Sequence, residues 1–326
     1  MKAFVQHRYG PPEVLVLEEI ERPAITDEDA LIQVRAVGLN AGDAFVMQGV
    51  PYFMRLFAGL RRPKHPVRGA DVAGTVTAVG SRVTDLRPGD EVFGSCTDLL
   101  VAGGLAEYAK APSRRVAPKP AGILFEQAAA IPIAGCTALQ ALRDKAQVQP
   151  GQTVLINGAS GGVGTFAVQI AKALGARVTA VCSTTNVDLV RSLGADSVID
   201  YTRDDFTKGT ERFDVILDNV ANHSLSELRR VLTPKGILVP NANTSGRWLG
   251  GMSRSIKALV MSPFVPERIR PFLAQVNQGD LLALTDLVEA GKVRPVIDRT
   301  YQLSQTADAM RHLESGHARG KVIVSV

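Results

Sequence analysis

Cysteine is scarce in this sequence. Its three thiols, Cys96, Cys136 and Cys182, lie far apart and form no CxxC pair, so neither a zinc knuckle nor a disulfide framework can be written from them. Small buried hydrophobes are the expected state for each. Histidine is as sparse. Of His7, His65, His223, His312 and His317 only the last two are close, and at five positions apart they fall on different helical faces, which argues against a metal site there. Long apolar runs are missing too. The longest uncharged one, Gln127 to Leu142, is too short to span a bilayer and contains Pro132. The opening "MKAFVQHRYG" lacks the apolar core of a signal peptide. A cytoplasmic protein with no membrane span is the expectation. Internal repeats and low-complexity segments are absent.

What is present fits a globular chain. At 326 residues, two domains are the prior. Hydrophobic content of 45% and charged content of 21% argue against global disorder. Net charge is +5, and the densest basic stretch is "RLFAGLRRPKHPVRG", Arg55 to Gly69, with no acid between Asp43 and Asp71. A basic patch can attract an anionic ligand or a nucleic acid. With no nucleic-acid fold signature beside it, nucleic acid is not an expected partner, and a solvated loop is the plain alternative.

The first 120 or so residues read as β-rich. "ALIQVRAVGLN", "DVAGTVTAVGSRV", "LRPGDEVFG" and "GGLAEYAKAPSRRVAPKP" are strand runs separated by turn signals, which suggests a compact barrel-like domain. Near Gly122 the texture changes. An alanine-rich helical segment broken at Pro132 leads to "VQPGQTVLING", a turn and a buried strand over Thr153 to Ile156. Helix then alternates with strand: helices over Val163 to Leu174 and Val187 to Leu193, strands over Arg177 to Cys182, Ser197 to Ile199 and Phe213 to Leu217. "SLSELRRVLTPKG" reads as a helix closed by Pro234 and Gly236, and "ILVPNA" as a further strand. This rhythm predicts a parallel sheet with helices on both faces. The tail beyond residue 295 holds one helix and one strand. That strand is too short to stand alone, so it returns to the β domain or completes a sheet edge.

The strand Val154-Leu155-Ile156 runs into "NGASGGVG" and then a helix with apolar Phe166, Val168, Ile170, Ala171 and Leu174. That context raises a glycine cluster from a weak signal to a strong one for a dinucleotide phosphate site. The pattern departs from strict GxGxxG: Ala159 stands for the first glycine, with Gly158 one step earlier. Gly161 would let the backbone approach a pyrophosphate, and Gly164 would let helix and strand pack closely. Amides around Ser160, Gly161, Gly162 and Val163, with the positive helix end, would hold the anion. A ligand-free turn, an adenosylmethionine site and a flavin site are the alternatives. In NAD sites a carboxylate about 20 residues on binds the ribose hydroxyls. Here that place reads Cys182-Ser183-Thr184-Thr185-Asn186, with no carboxylate. Hydroxyls such as those of Ser183 and Thr184 can donate to a 2′-phosphate that a carboxylate would repel, and Tyr201 follows the next strand. NADPH is therefore the expected cofactor.

Strand, "GASGGVG", helix and "LGADSVIDY", with "VGLNAGDAFVMQGVPY", "RGADVAGTVTAVGSRVTDLRPGDEVFG", "AAIPIAGCTALQAL" and "GHARGKVIVSV" in that order, resemble the medium-chain dehydrogenase/reductase superfamily over nearly the whole chain. The resemblance implies an α/β chain: a GroES-like β-rich catalytic domain over 1–122, completed by 296–326, and a doubly wound Rossmann domain over 123–295. Zinc members take the metal from a Cys and a Gly-His-Glu triplet; the matching places here read Asn40-Ala41-Gly42-Asp43 and Gly69-Ala70-Asp71. The structural four-cysteine loop is absent too, so the likeness narrows to the zinc-free branch, quinone oxidoreductases and enoyl reductases.

That branch implies NADPH-dependent hydride transfer to a quinone or an α,β-unsaturated carbonyl, with the product anion stabilised by hydrogen-bond donors. Tyr52 matches a tyrosine near the substrate and could donate a proton, or it is only a pocket wall beside Phe53, Met54 and Phe57. Asn40 matches an asparagine beside the nicotinamide. For the cofactor, the likeness carries Thr137, Asn219, Val220, Asn243 and Lys321, and leaves the amide of Ala221 usable. An apolar pocket from Phe53, Phe57, Trp248 and Phe264 would suit a quinone or alkenal. The basic loop would suit an enoyl thioester on an acidic carrier or coenzyme A. A low-turnover NADPH-binding relative with a structural or RNA-binding role, and a zinc-free alcohol dehydrogenase, are the competing readings. A homodimer through an exposed sheet edge, supplied by "ILVPNANT" or "KVRPVI", is also expected.

Overall fold

The computed structural model of the protein describes residues 1–96, 103–241 and 267–326. Its strands, in chain order, are β1 (Lys2–Gln6), β2 (Leu15–Glu19), β3 (Asp29–Leu39), β4 (Asp71–Val79), β5 (Glu91–Ser95), β6 (Tyr108–Pro112), β7 (Val116–Pro118), β8 (Thr153–Asn157), β9 (Arg177–Cys182), β10 (Ser197–Asp200), β11 (Phe213–Asp218), β12 (Leu232–Pro240), β13 (Arg268–Ile269), β14 (Ile297–Gln302) and β15 (Lys321–Ser325). The described helices are α1 (Ala41–Gln48), α2 (Arg55–Ala58), α3 (Phe125–Ala129), α4 (Pro132–Leu139), α5 (Gly162–Ala173), α6 (Val187–Ser192), α7 (Leu225–Arg230), α8 (Gln278–Glu289) and α9 (Thr306–Glu314). Two compact units result: Met1–Cys136 with Gln275–Gly291 and Pro295–Val326, and Thr137–Ala274 with Lys292–Arg294.

The first unit is built around β3. A sheet runs β14-β15-β3-β4-β5-β7, and β6 pairs with β3 off that path. One strand serves three partners because its register to β4 shifts at Leu31/Ile32 and Val34/Ala36; such bulges bend a strand. Its first half meets β6 and its last four residues meet β15. The chain end thus returns to the β domain, where Val322 and Val324 join Val34, Val37, Leu39, Val72, Val76 and Leu105 in one core. The amphipathic α9 closes that core with Ala309 and Met310. The unit runs past residue 122 because α3 packs on β3 and β4, with Ala128 and Ala129 fully buried. It also takes in α8, which packs on β7.

The second unit is a six-stranded sheet in the order β10-β9-β8-β11-β12-β13, parallel throughout. Counted from β8 this is the doubly wound order 3-2-1-4-5-6 of a Rossmann sheet. Strands covered on both faces need continuous apolar runs, and Val154-Leu155-Ile156 and Val215-Ile216-Leu217 supply them, all essentially fully buried. Strand order reverses between β8 and β11, and ligands of such sheets bind outside the strand ends at that switch point. One element is shorter than its sequence suggests. Helix α7 has the Ser224/Glu227 capping box but stops at Arg230, because the single residue Val231 leads directly into β12, which runs through Pro234 and Gly236.

Candidate functional site

β8 ends at Asn157 and α5 begins at Gly162. Between them Gly158 has φ +77°, left-handed backbone that glycine adopts without steric cost. Gly164, inside the first turn of α5, lies so near this turn that a Cβ would sit 2.1 Å from the Gly158 carbonyl oxygen. Gly161 differs: the nearest atom to an added Cβ is that same oxygen, at 3.6 Å. The fold tolerates a side chain there, so its glycine serves to keep the backbone bare at the helix end. The first helix amide to reach an acceptor is that of Thr165, on the Gly161 carbonyl at 2.9 Å. Those of Gly162 and Val163 precede it as the donors a helix start leaves open. Ala159 is buried and donates to Val181 O. Asn186 Nδ2 donates to Ser160 Oγ at 3.2 Å and Ser183 Oγ at 3.0 Å, while its buried Oδ1 has no hydrogen-bond partner. A turn with open amides, gathered hydroxyls and an unmet acceptor fits a phosphate-linked ribose.

The end of β9 holds a group that the sequence alone did not place. Cys182 is the register partner of Asp200, so the sheet brings a carboxylate from the neighbouring strand to the place where the chain itself has none. Thr184 Oγ1 donates to Asp200 Oδ2 at 2.5 Å. The hydroxyl and amide of Thr202 donate to Oδ1 at 2.7 and 3.0 Å. The Thr184 hydroxyl is the main reason that this carboxyl is held below its usual range, and Arg203 Nε lies 3.6 Å away. Tyr201 is exposed, with its amide on Cys182 O.

After β11 the turn is held from within. Asn219 donates through its amide and Nδ2 to Asn157 O, both at 3.2 Å, and accepts from Asn241. Val220 is exposed, and its Cγ2 stands 2.7 Å from where a Gly158 Cβ would be. The amide of Ala221, expected to be usable by a ligand, donates to Asp218 Oδ1 at 3.0 Å instead, in left-handed backbone at φ +63°. Thr137 is buried at the start of the second unit. Asn243, Trp248 and Phe264 lie outside the described residues.

In the first unit the predicted residues meet in a buried polar cluster. The ends of β3, β4 and β15 converge, with Gly38 opposite both Asp71 and Ile323. Lys321 Nζ donates to Asn40 Oδ1 at 2.6 Å and lies 3.5 Å from Asp71 Oδ2. Asn40 Nδ2 donates to Asp71 Oδ2 at 2.9 Å and to Gly38 O at 3.3 Å, and the Asn40 amide donates to Asp43 Oδ2. Lys321, carried over as a cofactor contact, thus spends its ammonium on Asn40 and Asp71. Lys321 is 3% exposed and Asp71 0%. Burial pushes Asp71 up to about 6, against the pull of Lys321, and pushes Lys321 down. Arg68 is buried nearby with its Nε unpartnered; burial lowers its guanidinium while Asp43 opposes. Arg68 gave no sequence signal of its own. The spacing of Asn40 and Asp43, which form the capping box of α1, was a signal available for Asp43.

Tyr52 opens a short 3-10 turn, half-buried, with the Arg55 guanidinium 4.8 Å from its ring centroid. Phe53 is half-buried, and Phe57 is exposed. Among the described residues no three His, Cys, Asp or Glu side chains gather as metal ligands, and no helix is long and apolar enough to cross a membrane.

Known proteins share this architecture. The family of alcohol dehydrogenase GroES-like domains matches residues 26–121, and the family described as zinc-binding dehydrogenase matches residues 193–324. The chain is 35% identical to the chloroplastic NADPH-dependent alkenal/one oxidoreductase of Arabidopsis thaliana, over 99% of this chain and 79% of that protein. It is 34% identical to a trans-enoyl reductase of Aspergillus terreus, over 92% of this chain and 86% of the relative. Among solved structures, the quinone oxidoreductase from Coxiella burnetii superposes with a TM-score of 0.87 at 31% identity, covering 100% of this chain and 99% of that one.

Proposed function

Because the chain belongs to the medium-chain dehydrogenase/reductase superfamily, in its quinone oxidoreductase and enoyl reductase branch, we propose that it is an NADPH-dependent oxidoreductase reducing quinones or activated alkenes. The observation that carries this reading is the open-amide turn at Gly158–Gly164 in a chain alike over 99% of its length to an NADPH-dependent alkenal/one oxidoreductase. Bound NADPH supplies a hydride to an electron-poor carbon or quinone ring. The amides of Gly162 and Val163 would hold the pyrophosphate beside the bare backbone of Gly161, whose own amide donates to Gly158 O, with Ala159 shaping the turn. Ser160, Ser183, Thr184 and Tyr201 would meet the adenosine ribose end, and Thr137, Asn219 and Val220 the remainder, with Asn243 carried over from the resemblance alone.

Asn40 acts as a positioned amide. With Oδ1 on Lys321 and Nδ2 on Asp71, its plane cannot turn. Tyr52 donates the proton that the reduced substrate takes up, its ring fixed by Arg55. We take the reaction to be metal-independent. The ligand places of zinc relatives hold Asn40, Ala70 and Asp71 here, and an ammonium already bridges Asn40 and Asp71, which engages the side chains that a metal would need. The absence of any disulfide between the three cysteines and a need for reduced NADPH suit the cytoplasm. A homodimer is the expected assembly, but not through "ILVPNANT", because β12, which carries its first half, is paired on both sides by β11 and β13.

The test is NADPH oxidation followed optically against quinones, alkenals and enoyl thioesters, with zinc content measured on the same sample. Turnover of at least one class without stoichiometric zinc is expected. Tight NADPH binding with no acceptor, together with salt-sensitive RNA retention, would replace the enzyme reading with the low-turnover one. The enoyl-thioester variant has its own support in the trans-enoyl reductase relative.

A further inference from the structure

In the segment Arg55–Arg68, Arg55 holds Tyr52 and Arg68 is buried beside Asp43, while Leu56, Leu60, Arg61, Arg62 and Lys64 have no task in quinone or alkenal reduction. Leu56, Phe57 and Leu60 are 68%, 67% and 65% exposed. They are three of the ten large apolar side chains exposed among the described residues, and single exposed apolar residues are ordinary whereas clusters are not. Arg61, Arg62 and Lys64 follow at once, all exposed. Among the described residues none of the three has a carboxylate within ion-pair distance. The nearest acids in sequence, Asp43 and Asp71, are buried, so the charge is not cancelled at the surface. Burial and the cations Arg68, Lys110 and Lys64 hold His65 below its usual range, a second sign of positive potential here.

The display is preformed. Tyr9 donates its hydroxyl to Gly59 O at 2.7 Å, and the Lys64 amide donates to Ala58 O at 2.7 Å. Arg55 donates to Gly49 O and Gln48 O while covering the rings of Tyr9 and Tyr52. A cleft of about 490 Å³ is lined by Leu60, Arg61, Arg62 and Lys64 together with Gln6 and His7, a volume that can take a phosphate-bearing head group.

We propose that this segment is an interfacial docking surface for an anionic lipid bilayer, with Leu56, Phe57 and Leu60 entering the head-group boundary and Arg61, Arg62 and Lys64 meeting lipid phosphates. Charge complementarity chooses the occupant's sign, and patch size chooses its kind. A stable protein interface takes about 20–30 residues a side, far more than this run offers. A bilayer needs only a few apolar tips ringed by cations, because it moulds to them. The inference stands apart from the reductase reading, since it is read by binding alone.

Sedimentation with vesicles of phosphatidylcholine, with and without phosphatidylglycerol, tests it. Each surface cation contributes about fivefold to partitioning onto anionic lipid, so three give about 100-fold preference for the anionic vesicles. That preference is expected to fade with added salt. The triple variant Arg61→Glu, Arg62→Glu, Lys64→Glu should lose it entirely. The pair Leu56→Ser, Leu60→Ser should lose about tenfold through its smaller apolar area. Both variants should keep the wild-type melting temperature and NADPH turnover of a water-soluble quinone. Failure of the wild-type protein to sediment with anionic vesicles overturns the proposal. So does full retention by the leucine variant, which would mean charge adsorption alone. Preference for an acidic acyl carrier protein over the vesicles, lost in the same variants, would make this a protein-docking site instead.

Discussion

The two polar centres of this protein are made in opposite ways. In the second unit the phosphate turn is local: seven residues from Gly158 to Gly164 form it from backbone, and its side chains matter mainly by being absent. In the first unit the Asn40–Asp71–Lys321 cluster draws on residues up to 281 positions apart, and it consists of side chains, the buried pair Asp71–Lys321 and the half-buried amide of Asn40. The first is open to a ligand by construction. The second already satisfies its own charges, so it orients rather than binds. The contrast predicts that damage to the two centres will be read by different instruments, stability for one and affinity for the other.

The largest effect should come from the buried pair. Lys321→Met leaves Asp71 without its cation, and breaking a buried pair costs about 3–5 kcal/mol. Urea unfolding measures it. Adding Asp71→Asn to that variant should return part of the loss, because neighbours in one network are not additive. A loss below about 1 kcal/mol in the single variant, the range of exposed pairs, would mean the cluster is not the tight ion pair described.

The turn should split cleanly between its own glycines. Gly164→Ala forces a Cβ to 2.1 Å from a carbonyl oxygen and should cost about 3 kcal/mol through backbone displacement. Gly161→Ala has 3.6 Å of room, so its stability should stay within about 1 kcal/mol of wild type. Its methyl group covers the amides instead, and NADPH affinity should fall about tenfold, near 1.4 kcal/mol. Titration of both variants decides. Equal loss of stability in the two would erase the distinction between a packing glycine and a binding one.

Proton linkage sharpens the other side of the contrast. Asp71 titrates at 3.8 in an ordinary environment and at about 6 when buried here. The folded state therefore holds its proton more tightly than the unfolded chain does. Stability present below pH 3.8 is lost as pH rises through about 6. Wild-type stability should fall more steeply across that window than that of Asp71→Asn, by at most about 1.4 kcal/mol per pH unit. Parallel curves would place the carboxyl in a more aqueous setting.

How much of this could be read in advance follows from the same division. The glycine turn, the strands around it and β15 returning to the β domain were legible, because periodicity and turn chemistry are written in consecutive residues. The resemblance supplied Asn40 and Lys321 but not what they do to each other. The resemblance offered Lys321 as a cofactor contact; its bonds to Asn40 and Asp71 join residues too far apart in the chain to be paired by eye. Arg68 was silent for the same reason. Ala221 misled in a different way: its amide is donated to Asp218 three residues earlier, a local bond hidden by the expectation of glycine.

Asp200 is the finest case, and it gives the smallest predicted effect. The chain has no carboxylate from Cys182 to Asn186, which favours a 2′-phosphate; the sheet then sets one opposite Cys182. Its charge is offset by Arg203 and its oxygens are filled by Thr184 and Thr202, so it does not reach out as a free ribose-binding acid does. It still takes the Thr184 hydroxyl away from a phosphate and leaves a negative charge near where one would sit. Asp200→Asn should remove that charge, so the ratio of NADH to NADPH dissociation constants should rise, with Arg203→Gln moving it the other way. If both substitutions leave the ratio where it was, the carboxylate faces away from the ribose, and selectivity rests on Ser183 and Tyr201 alone.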